Sequence, residues 1–197
     1  ASTNLVTLDR QLDIVCDAIL DTTRVTIPSS CTTDATRYVR VVGPAHGGVL
    51  ANAYRLHAVA DFNRAMIVEA AYARLVNISV QHESTSGNTS SNDAALQFNP
   101  AGAAAELQVD SCFVLKSPRR GFVVETGVVV ARNSVFLGAS QGADIADLTG
   151  SGLSTYLYNC VFVGGSDAGL VKSNNGTTLA VNCYACSTSA NAYLQSA

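Results

Sequence analysis

Asp144 and Asp147, three residues apart in the segment ADIADLT, are the pair whose type and spacing best suit acid–base chemistry. Two carboxyl groups flanking a glycosidic bond can protonate the leaving oxygen and supply the base or nucleophile. An odd offset along a strand sends the two side chains to opposite faces, so a shared site requires a bend or bulge. Glu125 and Lys172 fall in equivalent segments of a repeat described below and complete the set that glycan cleavage would use. A solvated charged face accounts for all four equally well. Arg119 and Arg120 follow Pro118 and present guanidinium forks suited to a phosphate, a carboxylated sugar or a partner protein. An exposed turn is the plainer reading of the same three residues.

Other motifs are weaker. Cys183-Tyr-Ala-Cys186 has the CxxC spacing of a zinc ligand pair. A zinc site needs two further ligands, and His46, His57 and His82 all lie far upstream, so no metal is expected. The six cysteines (Cys16, Cys31, Cys112, Cys160, Cys183, Cys186) read as small buried residues, with a Cys16–Cys31 staple left open. Gly43-Pro-Ala-His-Gly-Gly48 lacks the Lys and spacing of a phosphate loop and reads as a tight turn. No Ser-His-Asp order or dinucleotide fingerprint occurs, and no cofactor is expected. His82-Glu83 precedes STSGNTSSND (84–93), the largest insertion between repeats, where solenoids often carry binding functions. Three Asn-x-Ser/Thr sites, at Asn77, Asn88 and Asn175, matter only if a eukaryotic secretory pathway makes the chain.

The elements that must position these residues repeat. LVNISV (75–80), QVDSCFV (108–114), VARNSVFL (130–137), LYNCVFV (157–163) and AVNCYAC (180–186) share one pattern. Their polar anchors, Asn77, Asp110, Asn133, Asn159 and Asn182, are spaced by 33, 23, 26 and 23 residues. A second row, aligned on Leu96, Phe122, Ile145, Leu170 and Tyr193, is spaced by 26, 23, 25 and 23. The segments are short, alternating and rich in Val, Leu, Phe and Tyr, and turn-forming stretches divide them, so they read as strands. A repeat of 23–26 residues holding two or three short strands is one turn of a parallel β-solenoid. Stacked coils then predict a ladder of Phe113, Phe136 and Phe162, a row of small residues at Ser111, Ser134, Cys160 and Cys183, and Asn anchors that donate amide to amide along the axis. We read the anchors as structural, since Asn at a strand turn satisfies backbone groups.

The first third differs. Leu5, Leu8, Leu12, Val15 and Ile19 lie at helical spacing with Asp9, Arg10, Asp13 and Asp17 off the stripe, which predicts an amphipathic capping helix over 5–20 with Thr7 as N-cap. The organisation expected is a helix and capping segment over 1–37 and a β-helix domain over 38–197, together one structural unit. Strand-like VTI (25–27), YVRVVG (38–43), YRLHAVA (54–60) and AMIVEA (65–70) lead into the clear repeats. After AYLQS (192–196) the sequence shows no capping element, so the expectation is either that the natural protein continues or that another chain covers this end, and a homo-oligomer is expected.

The chain has 197 residues, a net charge of −3 and only 14% charged residues. That balance excludes a basic nucleic-acid binder. At 48% hydrophobic it is not a disordered chain, and no apolar run reaches the length of a membrane-spanning helix. The N-terminus lacks the basic and apolar regions of a signal peptide and has no initiator Met. Its polarity comes from Ser, Thr and Asn, as in long-lived extracellular or virion proteins.

On repeat length and pattern, residues 38–197 resemble the right-handed parallel β-helix (pectate lyase-like) superfamily, which includes glycan-cleaving enzymes, phage tailspikes and other virion proteins. The resemblance implies a single-stranded parallel β-helix; a β-sandwich or jelly roll is the alternative fold. Its enzymes carry carboxylates, and in lyases basic residues with calcium, on the outer surface of one sheet. The clustered Asp with a downstream His of related polygalacturonases is missing, because no His follows His82. With few charges and no assembled catalytic set, the expected function is a non-enzymatic virion structural protein: a capsid decoration (cement) or tail-fibre-like homotrimer. Its expected partners are other virion proteins such as a major capsid protein, and a host surface glycan, with no nucleic acid or membrane. The alternative is a polysaccharide lyase or hydrolase, or a carbohydrate-binding module, against which the absence of Trp argues mildly.

Overall fold

The computed structural model describes residues 3–59, 64–83, 94–115, 120–138, 141–146, 153–164, 168–173, 177–187 and 191–195. Side chains of 141–146, 168–173 and 191–195 lie outside that description. The chain winds through three strands per coil. The first coil holds β1 (Leu12–Val15), β2 (Leu20–Asp21) and β3 (Val25–Ile27). The second holds β4 (Val39–Val42), β5 (Tyr54–Val59) and β6 (Arg64–Val68). Next come β7 (Tyr72–Val76), β8 (Ile78–Glu83) and β9 (Ala94–Phe98), then β10 (Glu106–Asp110), β11 (Phe113–Leu115) and β12 (Arg120–Val124). Three more coils follow: β13 (Val128–Arg132), β14 (Val135–Leu137), β15 (Gln141–Ala146); β16 (Ser154–Tyr158), β17 (Val161–Gly164), β18 (Ala168–Ser173); β19 (Thr177–Val181), β20 (Tyr184–Ser187), β21 (Asn191–Gln195).

Every third strand pairs, giving three seven-stranded sheets: β1-β4-β7-β10-β13-β16-β19, β2-β5-β8-β11-β14-β17-β20 and β3-β6-β9-β12-β15-β18-β21. All the strand pairings described are parallel, for instance β10 with β13 and β12 with β15. The chain is therefore a single-stranded parallel β-solenoid, and the β-sandwich alternative falls, since its sheets are built from antiparallel hairpins and Greek keys.

A sharp corner separates the first and second strand of each later coil. Asn77, Ser111, Asn133, Asn159 and Asn182 occupy it with φ of 51–55°. The left-handed region is disfavoured for most L-residues but tolerated by Asn, which explains the Asn periodicity. Each segment read as one strand, such as LVNISV, is thus two strands bent at the Asn. In the fourth coil the corner residue is Ser111, not the expected Asp110. Asp110 is the last residue of β10, in register with Arg132. Its carboxylate accepts from Ser111 Oγ at 3.0 Å and from Asn133 Nδ2 at 3.2 Å. Asn159 Nδ2 in turn donates to Asn133 Oδ1 at 3.3 Å, so the expected amide row runs along the axis with Asp110 as its acceptor end. At the equivalent corner of the second coil stands Gly43, whose N–H donates to Val76 O at 2.9 Å. A Cβ there would lie 2.3 Å from Asn77 O, so only glycine permits that approach.

The corner shift moves every neighbour by one. The inward row of small residues is Cys112, Ser134, Cys160 and Cys183. Cys112 Sγ donates to Asp110 O at 3.2 Å, Ser134 Oγ to Arg132 O at 2.7 Å, Cys160 Sγ to Tyr158 O at 3.3 Å and Cys183 Sγ to Val181 O at 3.4 Å. Each adds a second donor to a carbonyl that already accepts a corner N–H from the preceding coil, as Arg132 O does from Ser111 N at 3.0 Å. Val114, not Phe113, is in register with Phe136, which in turn faces Phe162. The aromatic stack is Phe122–Phe136–Phe162, with centroids 5.5 and 5.1 Å apart, so the third ring comes from β12 on another sheet. Similarly, Ala143 and not Ile145 pairs with Phe122 and Leu170. Parallel pairing follows backbone register, and a residue two places along keeps the same face, so an alignment by residue size slips by two there.

The core fills the coil interior, with Leu56, Leu75, Leu107, Phe98, Phe136 and Phe162 at 1% exposure or less. Each such side chain contributes roughly 1.5–3 kcal/mol on burial. The third sheet is buried on both faces across β6, β9 and β12, where Ile67, Gln97 and Val123 on the outward side are also covered.

The predicted helix over 5–20 is corrected. Only Leu5–Leu8 is helical, with Asn4 rather than Thr7 as N-cap: Asn4 Oδ1 accepts from Thr7 N at 2.9 Å. Asp9, at φ 51°, ends it. Leu12 and Ile14 alternate as well as fitting a helical stripe, and pairing with β4 decides for a strand. A short isolated helix has too little cooperative stability to compete.

Candidate functional site

Of the residues expected to cleave glycans, only Glu125 has a described side chain, and Asp144 and Lys172 are placed by backbone register alone. Glu125 follows β12, and its Oε1 accepts a hydrogen bond from the buried Gln97 Nε2. Asp144 lies in β15 in register with Val123 and Val171, whereas Lys172 lies in β18 in register with Ile145. Asp147 and Arg119 lie outside the described residues. Arg120 opens β12, half-buried and in register with Ala94 and Gln141.

The motif residues resolve into structural roles. Cys183 belongs to the inward row, while Cys186 sits in register with Val163, so the CxxC pair is split between two positions of the corner and strand. No group of three or more His, Cys, Asp or Glu suited to a metal occurs among the described residues. Gly43–Gly48 is the tight turn expected, with Gly47 and Gly48 at φ 58° and 81°. His46 Nδ1 accepts from Gly48 N at 3.0 Å, so the proton sits on Nε2, which donates to Ser111 O at 2.6 Å. The ring lies 4.9 Å from that of Phe113, so the turn folds over the outward Phe113. His57 Nε2 and Glu83 Oε2 approach to 3.5 Å across β5 and β8 without hydrogen-bond alignment.

Two surfaces that sequence reasoning did not single out stand out in space. The first is the outward face of the first sheet. Arg74 donates to Tyr38 OH at 2.8 Å and lies 3.7 Å over its ring. Arg132 lies 5.8 Å over the Tyr158 ring, and Tyr72 OH donates to Ala104 O at 2.9 Å. The stacked guanidinium groups are held in place before any ligand arrives.

The second surface is the end formed by the first coil. Leu12, Ile14 and Cys16 on one side and Val25 and Ile27 on another surround an apolar cavity of about 270 Å³ floored by Val41 and Leu56. Leu8, Leu12, Ile14, Val15, Ile19 and Leu20 are 39–78% exposed at this end. The residues that read as a cap therefore leave the core open. The rim is polar and fixed. Arg40 forks onto Asp13, with Nη2–Oδ2 2.5 Å and Nε–Oδ1 3.1 Å. The Arg40 hydrogen bonds, and then that of Gln11, hold the Asp13 carboxyl below the usual carboxylate value. Arg37 joins Asp9 at 3.4 Å and Asp34 at 3.2 Å and donates to Val6 O at 3.3 Å, pinning the helical turn to the rim. Tyr54 OH donates to Asp21 Oδ2 at 3.2 Å, and burial, reinforced by Asp21, pushes its hydroxyl pKa up. The arrangement offers apolar contact beside side chains already held in hydrogen bonds.

No protein-family model, curated protein or solved structure matches this chain.

Proposed function

We propose that the chain is a non-enzymatic structural protein of a virion, a capsid decoration or tail-fibre-like module that acts as a homotrimer and binds a viral protein lattice. The observation that carries the binding role is the apolar first-coil end, where Leu12 and Ile14 line an open cavity at 39% and 43% exposure. Contiguous exposed apolar surface inside a polar rim marks an association site. The test is mass in solution by light scattering on a size-exclusion column. A concentration-stable trimer is expected, and a Leu12→Asp/Ile14→Asp double variant is expected to fall to monomer with an unchanged circular dichroism spectrum. A wild-type monomer at every concentration overturns the reading.

The Tyr38–Arg74 and Arg132–Tyr158 pairs favour a second reading, contact with a host surface glycan, since rings and guanidinium forks suit sugar faces and hydroxyls. Saccharide binding that Tyr158→Ala weakens without turnover supports it; no binding by calorimetry sinks it.

A further inference from the structure

The inward row after each corner reads Cys112, Ser134, Cys160, Cys183. Cys160 and Cys183 are consecutive members on adjacent coils. Two backbone hydrogen bonds bracket them: Asn159 N to Val181 O at 3.0 Å, and Tyr184 N to Cys160 O at 2.9 Å. The two residues therefore face one another across one inter-strand spacing, about 4.8 Å, which lies inside the Cα separation a disulfide accepts. Both thiols lean back onto the carbonyl two residues earlier, at 3.3 and 3.4 Å, so they lie parallel. No other cysteine of the later coils has a thiol opposite it: Cys112 N bonds Ser134 Oγ at 3.1 Å, and Cys186 faces Val163.

We propose that Cys160 and Cys183 form a redox-modification site, an intrachain disulfide that staples two adjacent coils. A small disulfide such as oxidised glutathione is the oxidant. The thiolate of Cys183, half-buried where Cys160 is buried, attacks one sulfur of the small molecule. The small molecule's S–S bond breaks and one thiolate leaves. Cys160 then loses its proton to solvent and attacks the Cys183 sulfur of the mixed disulfide. A new S–S bond forms and the second small thiolate leaves. Two protein thiols are oxidised by two electrons, the small disulfide is reduced to two thiols, and the two protons released balance them. Burial holds the Cys160 thiol up at about 11, so the second step is slow near neutrality and quickens with pH.

The experiment treats the reduced, folded chain with oxidised glutathione at mildly alkaline pH and maps its tryptic peptides without reduction. Lys172 lies between the two cysteines, so the cross-link joins two peptides. The expected product is two hydrogens lighter than the reduced chain and melts about 5–10 °C higher, because the bond closes a loop of some two dozen residues. The link persists in Cys186→Ser and disappears in Cys183→Ser and Cys160→Ser, each checked for native circular dichroism. A link that survives Cys183→Ser but not Cys186→Ser overturns the proposal. So does a product that stops at the mixed disulfide, or no reaction in the wild-type chain.

Discussion

Replacing Phe136 by Ala, beside the same change at Phe113, tests the register of the solenoid. Phe136 has 0% exposure and sits between the Phe122 and Phe162 rings, at 5.5 and 5.1 Å. Truncating a buried Phe costs about 3–5 kcal/mol, from lost transfer energy and the cavity left behind. Two lost ring contacts place it toward the upper part of that range. For a domain of this size each kcal/mol lowers Tm by about 2–4 °C, so a cost of about 4–5 kcal/mol gives a fall of about 8–20 °C. Phe113 is half-buried on the outward face, with the His46 ring 4.9 Å away. Its truncation removes about half of a full burial term, roughly 1 kcal/mol, or a few degrees. Guanidinium denaturation followed by circular dichroism reads both. Had Phe113 belonged to the interior ladder, the two losses would match; equal losses, or a larger one at Phe113, refute the register described.

Other outcomes follow from the same geometry. Gly43→Ala puts a methyl 2.3 Å from Asn77 O and is expected to destabilise by about 1–3 kcal/mol, read as a lower denaturation midpoint. Asn133→Ala is expected to cost about 1–2 kcal/mol more than Asn133→Gly, because only Gly adopts φ 51° without strain while both lose the amide row. The Asp13 carboxyl is depressed by Arg40, so its contribution is present above the unfolded value, about 3.9, and is lost as pH falls through the lower folded value. Asp13→Asn should therefore flatten the loss of Tm below about pH 4, with a small effect that salt weakens, since the pair is 38–40% exposed. Burial raises the Cys112 thiol to about 12 and Cys160 to about 11, so their neutral forms add stability below the unfolded thiol value, about 8.5. That stability is expected to fade as pH rises toward 11, and native-state alkylation should reach Cys183 and Cys186 before Cys112 and Cys160.

The repeat was legible in the residues because each coil solves the same local problem: an Asn or Ser tolerates the left-handed corner, a small side chain follows it and caps a carbonyl, and apolar residues alternate into the interior. Strands at 25–27, 38–43, 54–60 and 65–70 were equally plain from their β-branched and aromatic content. Which residue holds each place was not legible where size and chemistry tie. Asp110 resembles the Asn anchors, but backbone register gives the corner to Ser111 and moves Phe113 outside. Residues 5–20 fit two periods at once, and only pairing of Leu12–Val15 with Val39–Val42 settles the choice. The surfaces were the least visible in sequence. Leu12 and Ile14 lie in β1 and Val25 in β3, Tyr38 precedes β4 while Arg74 lies in β7, and Cys160 and Cys183 lie in separate coils. Local sequence determines corners and alternation, because those are properties of a few neighbouring residues. Stacking decides which side chains meet, because it joins residues some two dozen apart at one inter-strand spacing.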